Sequence, residues 1–259
     1  MFKRELMEML NYADLEPKLM SLREVAEAFR LAMDEKKPIS HVCVGDGEMY
    51  FLGNRKIPEF YEYPAGLALY CQFIPDYEHE VWDGVFHSDI IGAFFCQPGT
   101  ISFFNHFPNV LAERNLCDGY IGNGLHFSGL LYDTVLKDKR VYLIGNKVQN
   151  LLPVLDKFQI ELAGYTQANN FPDIPRIKEC LSETDFDLAL LSAGILSLIL
   201  GPWIKRSLGR CALDFGGAIY HVKDTVDFIG AKRDGNIFNL EATNGFGLPN
   251  DIAIHSTFG

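Results

Sequence analysis

Two carboxylates one residue apart, Asp46 and Glu48, close the apolar run HVCVGDGEMYF at residues 41–51. Side chains of an extended chain alternate, so these two point the same way. Like charges about 4 Å apart repel by roughly 4 kcal/mol at an effective dielectric near 20. A divalent cation turns that repulsion into a bridge, because Mg²⁺ or Mn²⁺ takes carboxylate and phosphate oxygens together. Gly45 and Gly47 supply the G-x-G of a dinucleotide turn, but Tyr50 stands where its third glycine belongs. The carboxylates also occupy the place of the pyrophosphate. A metal–diphosphate site is the better reading. The bland alternative is a solvated turn in which Asp46 caps a local amide.

Weaker signals lie further along. In LIGNK, Gly145 permits close backbone approach, while Asn146, Lys147 and a following helix N-terminus favour an anion. LLSAGIL repeats the logic with Ser192 and Gly194. For both, an ordinary strand-to-helix turn is the competing explanation. The stretch DYEHEVWDGVFHSD gathers Asp76, His79, Asp83, His87 and Asp89 without a zinc spacing and reads as a polar loop. His126 falls in the glycine-rich GNGLHFSG, read as a loop. His221 follows the strand that ends at Asp214. No nucleophile elbow or P-loop occurs.

Regular elements must position these groups. SLREVAEAFRLAMDEKK is the clearest helix, opened by a Ser21-x-x-Glu24 capping box, with Leu22, Val25, Phe29 and Met33 on its core face. ISHVCVG follows as a short strand. Beyond Asp138, strands KRVYLIG, IELAGYT, FDLALLSAG and RCALDFGG alternate with helical NKVQNLLPVLDKF, PRIKECLSE and ILSLILGPWIKRSLG. Pro153 is expected to kink the first of these helices. The pattern predicts an α/β fold: a Rossmann-like, doubly wound, mostly parallel sheet. Ligands bind such sheets beyond the carboxyl ends of the strands. Those ends read Gly45-Asp46, Gly145-Asn146, Ser192-Ala193-Gly194 and Asp214-Phe215-Gly216. We expect one domain over residues 1–259, with a helical N-terminal part (1–37) and an aromatic-rich insertion (51–132) walling the pocket.

Composition narrows the partners. The chain has 259 residues, is 48% hydrophobic and carries a net charge of −11, which disfavours free nucleic acid as a partner. Six scattered cysteines without a CxxC pair read as reduced thiols, pointing to the cytoplasm. The most apolar window, DLALLSAGILSLILGPWI, is broken by a Ser-Ala-Gly turn and Gly201-Pro202, so no membrane span is expected.

The strand ending Gly45-Asp46-Gly47-Glu48 resembles the signature of the GT-D-type bacterial glycosyltransferases, usually an Arg-aromatic-Gly-Asp-Gly-Glu run. The segment FDLALLSAGILSLILGPWIKRSLGRCALDFGG resembles their closing unit, with matching spacing from Gly194 through Gly209 to Asp214. The resemblance implies that Asp46 and Glu48 hold Mn²⁺ or Mg²⁺ against a nucleotide-diphosphate sugar donor, whose sugar passes to a glycan or glycoconjugate acceptor. Gly45, Gly47, Gly145, Asn146, Lys147, Ser192 and Gly194 are the expected donor-binding residues. His221 and Asp214 are the expected candidates for the base. Two positions depart from the family pattern: Cys43 replaces the arginine, and Gly217 stands where histidine is frequent. Either departure implies a different donor, a compensating group such as Arg55, Lys147 or His221, or lost catalysis. A Rossmann-like methyltransferase and a non-catalytic nucleotide-sugar-binding module are the alternatives, and self-association is left open.

Overall fold

The computed structural model describes residues 19–45, 48, 77–94, 115–220 and 222. Asp46, Gly47, Arg55, Asp76 and His221 lie outside the described residues, as do Cys71 and Cys96.

Strand and helix patterns alternate along the chain because each strand must be covered on both faces. The strands are β1 (Leu19–Met20), β2 (Ser40–Val44), β3 (Ile90–Ala93), β4 (Asn115–Asp118), β5 (Arg140–Gly145), β6 (Glu161–Thr166), β7 (Leu188–Ser192) and β8 (Cys211–Asp214). They form one parallel sheet in the order β1-β4-β3-β2-β8-β7-β5-β6. The helices are α1 (Leu22–Asp34), α2 (Glu78–His87), α3 (Ile121–Ser128), α4 (Leu152–Lys157), α5 (Ile174–Glu183) and α6 (Leu196–Trp203). Val42, Ile91 and Leu191 face one core with α2, α5 and α6. Leu143, Leu190 and Leu213 face the other with α1, α3 and α4. Each fully buried side chain of this size contributes about 1.5–3 kcal/mol.

The capping box at α1 is present in both directions: Ser21 Oγ accepts the Glu24 N–H, and Glu24 Oε2 accepts the Ser21 N–H. Val25, Ala26, Phe29 and Ala32 form its fully buried stripe, with Leu22 and Met33 on the margins. Pro153 lies in the first turn of α4, where no N–H is missed, so it starts this helix instead of kinking it. Pro202 sits inside α6 and withholds the N–H that the Leu198 carbonyl would accept. Gly84 of α2 packs against that same carbonyl, so closely that a Cβ there would come within 1.8 Å of it.

Three elements differ from expectation. IIGAFF supplies β3, a central strand, although the sequence reads as part of an aromatic-rich wall. EHEVWDGVFH is helix α2, not a polar loop: Val81, Gly84 and Val85 are buried while the polar residues face outward. GNGLHFS is helix α3, not a loop. Its glycines are contact points, since a Cβ on Gly122 would lie 2.4 Å from the Phe215 carbonyl and one on Gly124 2.4 Å from Leu22.

Candidate active site

Both ends of the sheet carry charge, but differently. At the amino end the acids are paired: Asp89 with Lys205 at 2.5 Å, and Asp185 with Arg140 and Arg210 at 2.6 and 2.8 Å. Asp89 also accepts the Ser40 N–H, and Asp187 the Arg140 N–H, fixing the starts of β2 and β5. At the carboxyl end stand Glu48, Asp118 and Asp214. Among the described residues, no basic side chain pairs with Asp118 or Asp214. The paired acids hold the strand starts, whereas Asp118 and Asp214 lie at the end where parallel sheets bind ligands.

At the end of β2, the Glu48 carboxylate folds back and accepts the Gly45 N–H at 3.0 Å. Gly45 is closely approached here: a Cβ would meet the Phe94 ring at 3.0 Å and Glu48 Oε2 at 3.3 Å. Next in the sheet, β8 ends in the buried Asp214. Its two oxygens accept the Cys43 N–H (3.1 Å) and the Gly216 N–H (3.0 Å), joining β2 to the turn after β8. Burial pushes the Asp214 carboxyl up to about 7; Glu48 adds to this, and the two N–H donors oppose it.

Beyond β8, the ends of β7 and β5 meet almost backbone to backbone. Gly145 has φ +137°, and a Cβ on it would lie 2.1 Å from the Ser192 carbonyl, so no other residue fits. Ser192 Oγ donates to the Gly216 carbonyl at 2.7 Å, coupling this edge to β8. Asn146 is half-buried, and Lys147 is exposed with φ +57°. Its ammonium sits 4.5 Å over the ring of Tyr220, itself largely exposed. Gly194, φ +53°, precedes α6 with open space around it. The helix after β5 covers one face and the helix after β7 the other, which is the divergence that opens a ligand crevice.

The structure therefore brings Gly45, Glu48, Gly145, Asn146, Lys147, Ser192, Gly194 and Asp214 to one edge. Asp118, Phe94 and Tyr220 join them there without having been singled out in the sequence. The signal for Asp118 is the tetrad LCDG, an apolar pair running into Asp-Gly like the other strand ends. His126 is elsewhere: buried in α3, its Nδ1 is 2.6 Å from the Tyr132 hydroxyl, a core contact. His87 and Asp83 pair on the surface of α2, where Asp83 also holds Arg206.

Cys43 is buried beneath the edge. Its Sγ lies 3.5 Å from the Gly119 carbonyl and 3.8 Å from His41 Nε2, so it presents nothing to a ligand. The four described cysteines are all free thiols. Among the described residues, no group of three or more His, Cys, Asp or Glu converges on a metal position, and no helix is long and apolar enough to cross a membrane.

A parallel α/β sheet with helices on both faces defines a Rossmann-type domain. The family model of the GT-D fold-like domain matches residues 20–222, and the chain belongs to that family. Its fold is thus glycosyltransferase-like. Searches against curated proteins and against solved structures returned no match.

Proposed function

We propose that this chain is a metal-dependent glycosyltransferase that moves a sugar from a nucleotide diphosphate to a glycan or glycoconjugate acceptor. The observation that carries this reading is the placement of Glu48, the last residue of the Gly-Asp-Gly-Glu run, at the carboxyl edge of a GT-D fold-like sheet.

The donor chemistry suits a hard divalent cation. The Glu48 charge raises the proton affinity of both Asp214 and Cys43, a cost that a cation at the turn relieves. Asp46 and Glu48 would hold Mn²⁺ or Mg²⁺, which when bound supplies charge neutralisation for the departing diphosphate. Lys147, close to the Gly145 turn, adds a positive charge for the same group, and Tyr220 offers a ring to the base or sugar. Asp214 holds β2 and β8 in register beneath the turn. Its burial sets it back from an acceptor hydroxyl. His221 remains a candidate base by its sequence position.

A non-catalytic nucleotide-sugar-binding module is the second reading, favoured by Cys43, whose buried thiol stands where the family has an arginine. A thermal-shift panel separates the two. A nucleotide diphosphate at about a hundred times its dissociation constant stabilises by roughly 2.7 kcal/mol, or about 5–10 °C in a chain of this size. The transferase shows this rise only with Mn²⁺ or Mg²⁺ and then consumes the cognate sugar nucleotide; the module shows binding without turnover. A rise with S-adenosylmethionine alone, and none with nucleotides, would assign the chain to the methyltransferases.

A further inference from the structure

We propose that Asp118 is the catalytic base that takes the proton from the acceptor hydroxyl, an assignment that rests on the transferase reading. Asp118 ends β4, two strands from β2 in the same parallel sheet, in register with Ala93, which in turn pairs with Val44. Strands lie about 4.8 Å apart, so Asp118 borders the turn of Glu48 across a single intervening strand end. That strand end is occupied by Phe94. The ring lies against Gly45, whose N–H Glu48 holds, and against Gly119, the residue after Asp118; added Cβ atoms there would sit 3.0 and 2.6 Å from it. The Phe94 ring, braced edge-on by Tyr120 at 4.8 Å, is therefore a common floor for the metal turn and for Asp118. Helix α2 packs on one face of the sheet and α3, which follows β4, on the other.

The carboxylate itself is built for proton transfer. Oδ1 accepts the Tyr120 N–H at 2.7 Å, which fixes its orientation, while Oδ2 makes no hydrogen bond or ion pair with a described residue. Asp214 differs on this point, since both of its oxygens are engaged by backbone N–H groups and the residue is buried. Burial pushes the Asp118 carboxyl up to about 6, against the pull of the Tyr120 N–H. It is ionised at neutral pH yet holds a proton far more firmly than an ordinary aspartate, as a base should.

In the step, the acceptor oxygen bonds to the anomeric carbon as its proton passes to Asp118 Oδ2. The bond from that carbon to the diphosphate oxygen breaks, and its electron pair leaves with the nucleoside diphosphate. Asp118 returns the proton to solvent before the next turnover.

The test uses Asp118→Asn and Asp118→Glu in the full chain. Asparagine keeps the Oδ1 acceptor for Tyr120 but cannot take a proton. Release of nucleoside diphosphate from UDP-, GDP- and dTDP-hexoses is followed with Mn²⁺, p-nitrophenyl glycosides serving as acceptors. Alongside it runs calorimetry of the corresponding nucleoside diphosphates. The expected result is a kcat at least 100-fold lower in Asp118→Asn. Mn²⁺-dependent nucleotide affinity should stay within twofold and the melting temperature should not fall, with partial recovery in Asp118→Glu. A merely structural role would instead lower affinity and melting temperature together. Asp118→Asn retaining more than a tenth of wild-type turnover overturns the base assignment and leaves the transferase reading standing. Wild type that binds nucleotide with Mn²⁺ yet releases none from any donor overturns the assignment in favour of the binding module. Absence of any nucleotide binding overturns both.

Discussion

His41 should contribute an acid-sensitive share of the stability that one substitution removes. It lies in the middle of the sheet, fully buried, with Nε2 3.5 Å from Cys117 Sγ and Nδ1 without a hydrogen-bond partner. Burial depresses its pKa from 6.5 to about 3. The unfolded chain therefore binds a proton below pH 6.5 that the native state refuses until about pH 3, and stability falls as pH drops through that window. Integrated from pH 7.5 to 4.5, the loss is about 2.7 kcal/mol. Asp214 and Asp118 act in the opposite sense. Their carboxyls, raised to about 7 and about 6, bind protons in the native state first and add stability as pH falls toward 4. On these values the two carboxyls outweigh His41, so wild type alone does not reveal the loss. The informative quantity is wild type minus His41→Leu, a near-isosteric change costing less than about 1.5 kcal/mol at pH 7.5. Urea denaturation at both pH values should show the variant gaining about 2.7 kcal/mol on wild type. At an m-value near 3 kcal/mol/M this is roughly 1 M in midpoint. Midpoints that move in parallel in the two proteins would refute the reasoning.

Two further substitutions probe the edge. Gly145→Ala combines a φ of +137° with a carbonyl 2.1 Å from the new methyl group. It should cost about 2–5 kcal/mol in urea denaturation; a loss under 1 kcal/mol would mean the two strand ends are free to separate. Lys147→Ala, by contrast, should leave stability within about 0.5 kcal/mol, since the residue is exposed. By calorimetry it should weaken nucleoside diphosphate binding several-fold while sparing the nucleoside, and equal losses for both would remove Lys147 from the phosphate site.

How legible these features are depends on how local their cause is. The strands β5, β7 and β8 announce themselves because an apolar run leads into a small residue or a turn and a helical repeat flanks it. Four-residue β3 and β4 offer too little pattern amid aromatic neighbours, and only the sheet shows that Gly92 faces Cys43 on one side and Cys117 on the other. Helix α3 is hidden by glycines whose purpose, close approach to Phe215 and Leu22, is tertiary. Helix α2 is hidden by acids and histidines that face outward around a narrow apolar stripe. At the site, Gly45, Glu48, Gly145, Ser192 and Asp214 are visible as strand endings. Asp118 is not, because its strand is not, and Tyr220 becomes notable only once Lys147 is seen above its ring.

The central claim is that the Asp46–Glu48 turn binds a nucleotide diphosphate through a divalent cation. Calorimetric titration of UDP, GDP and dTDP into wild type, Asp46→Asn and Glu48→Gln, each with Mn²⁺ and with chelator, tests it most directly. Both substitutions are close to isosteric, and in Glu48→Gln the side-chain amide oxygen can still accept the Gly45 N–H that the carboxylate accepts now. We predict binding of one nucleotide by wild type only when Mn²⁺ is present, weakened at least tenfold in each variant at an unchanged melting temperature. Binding of equal strength in all three proteins, or binding indifferent to chelator, would contradict the account.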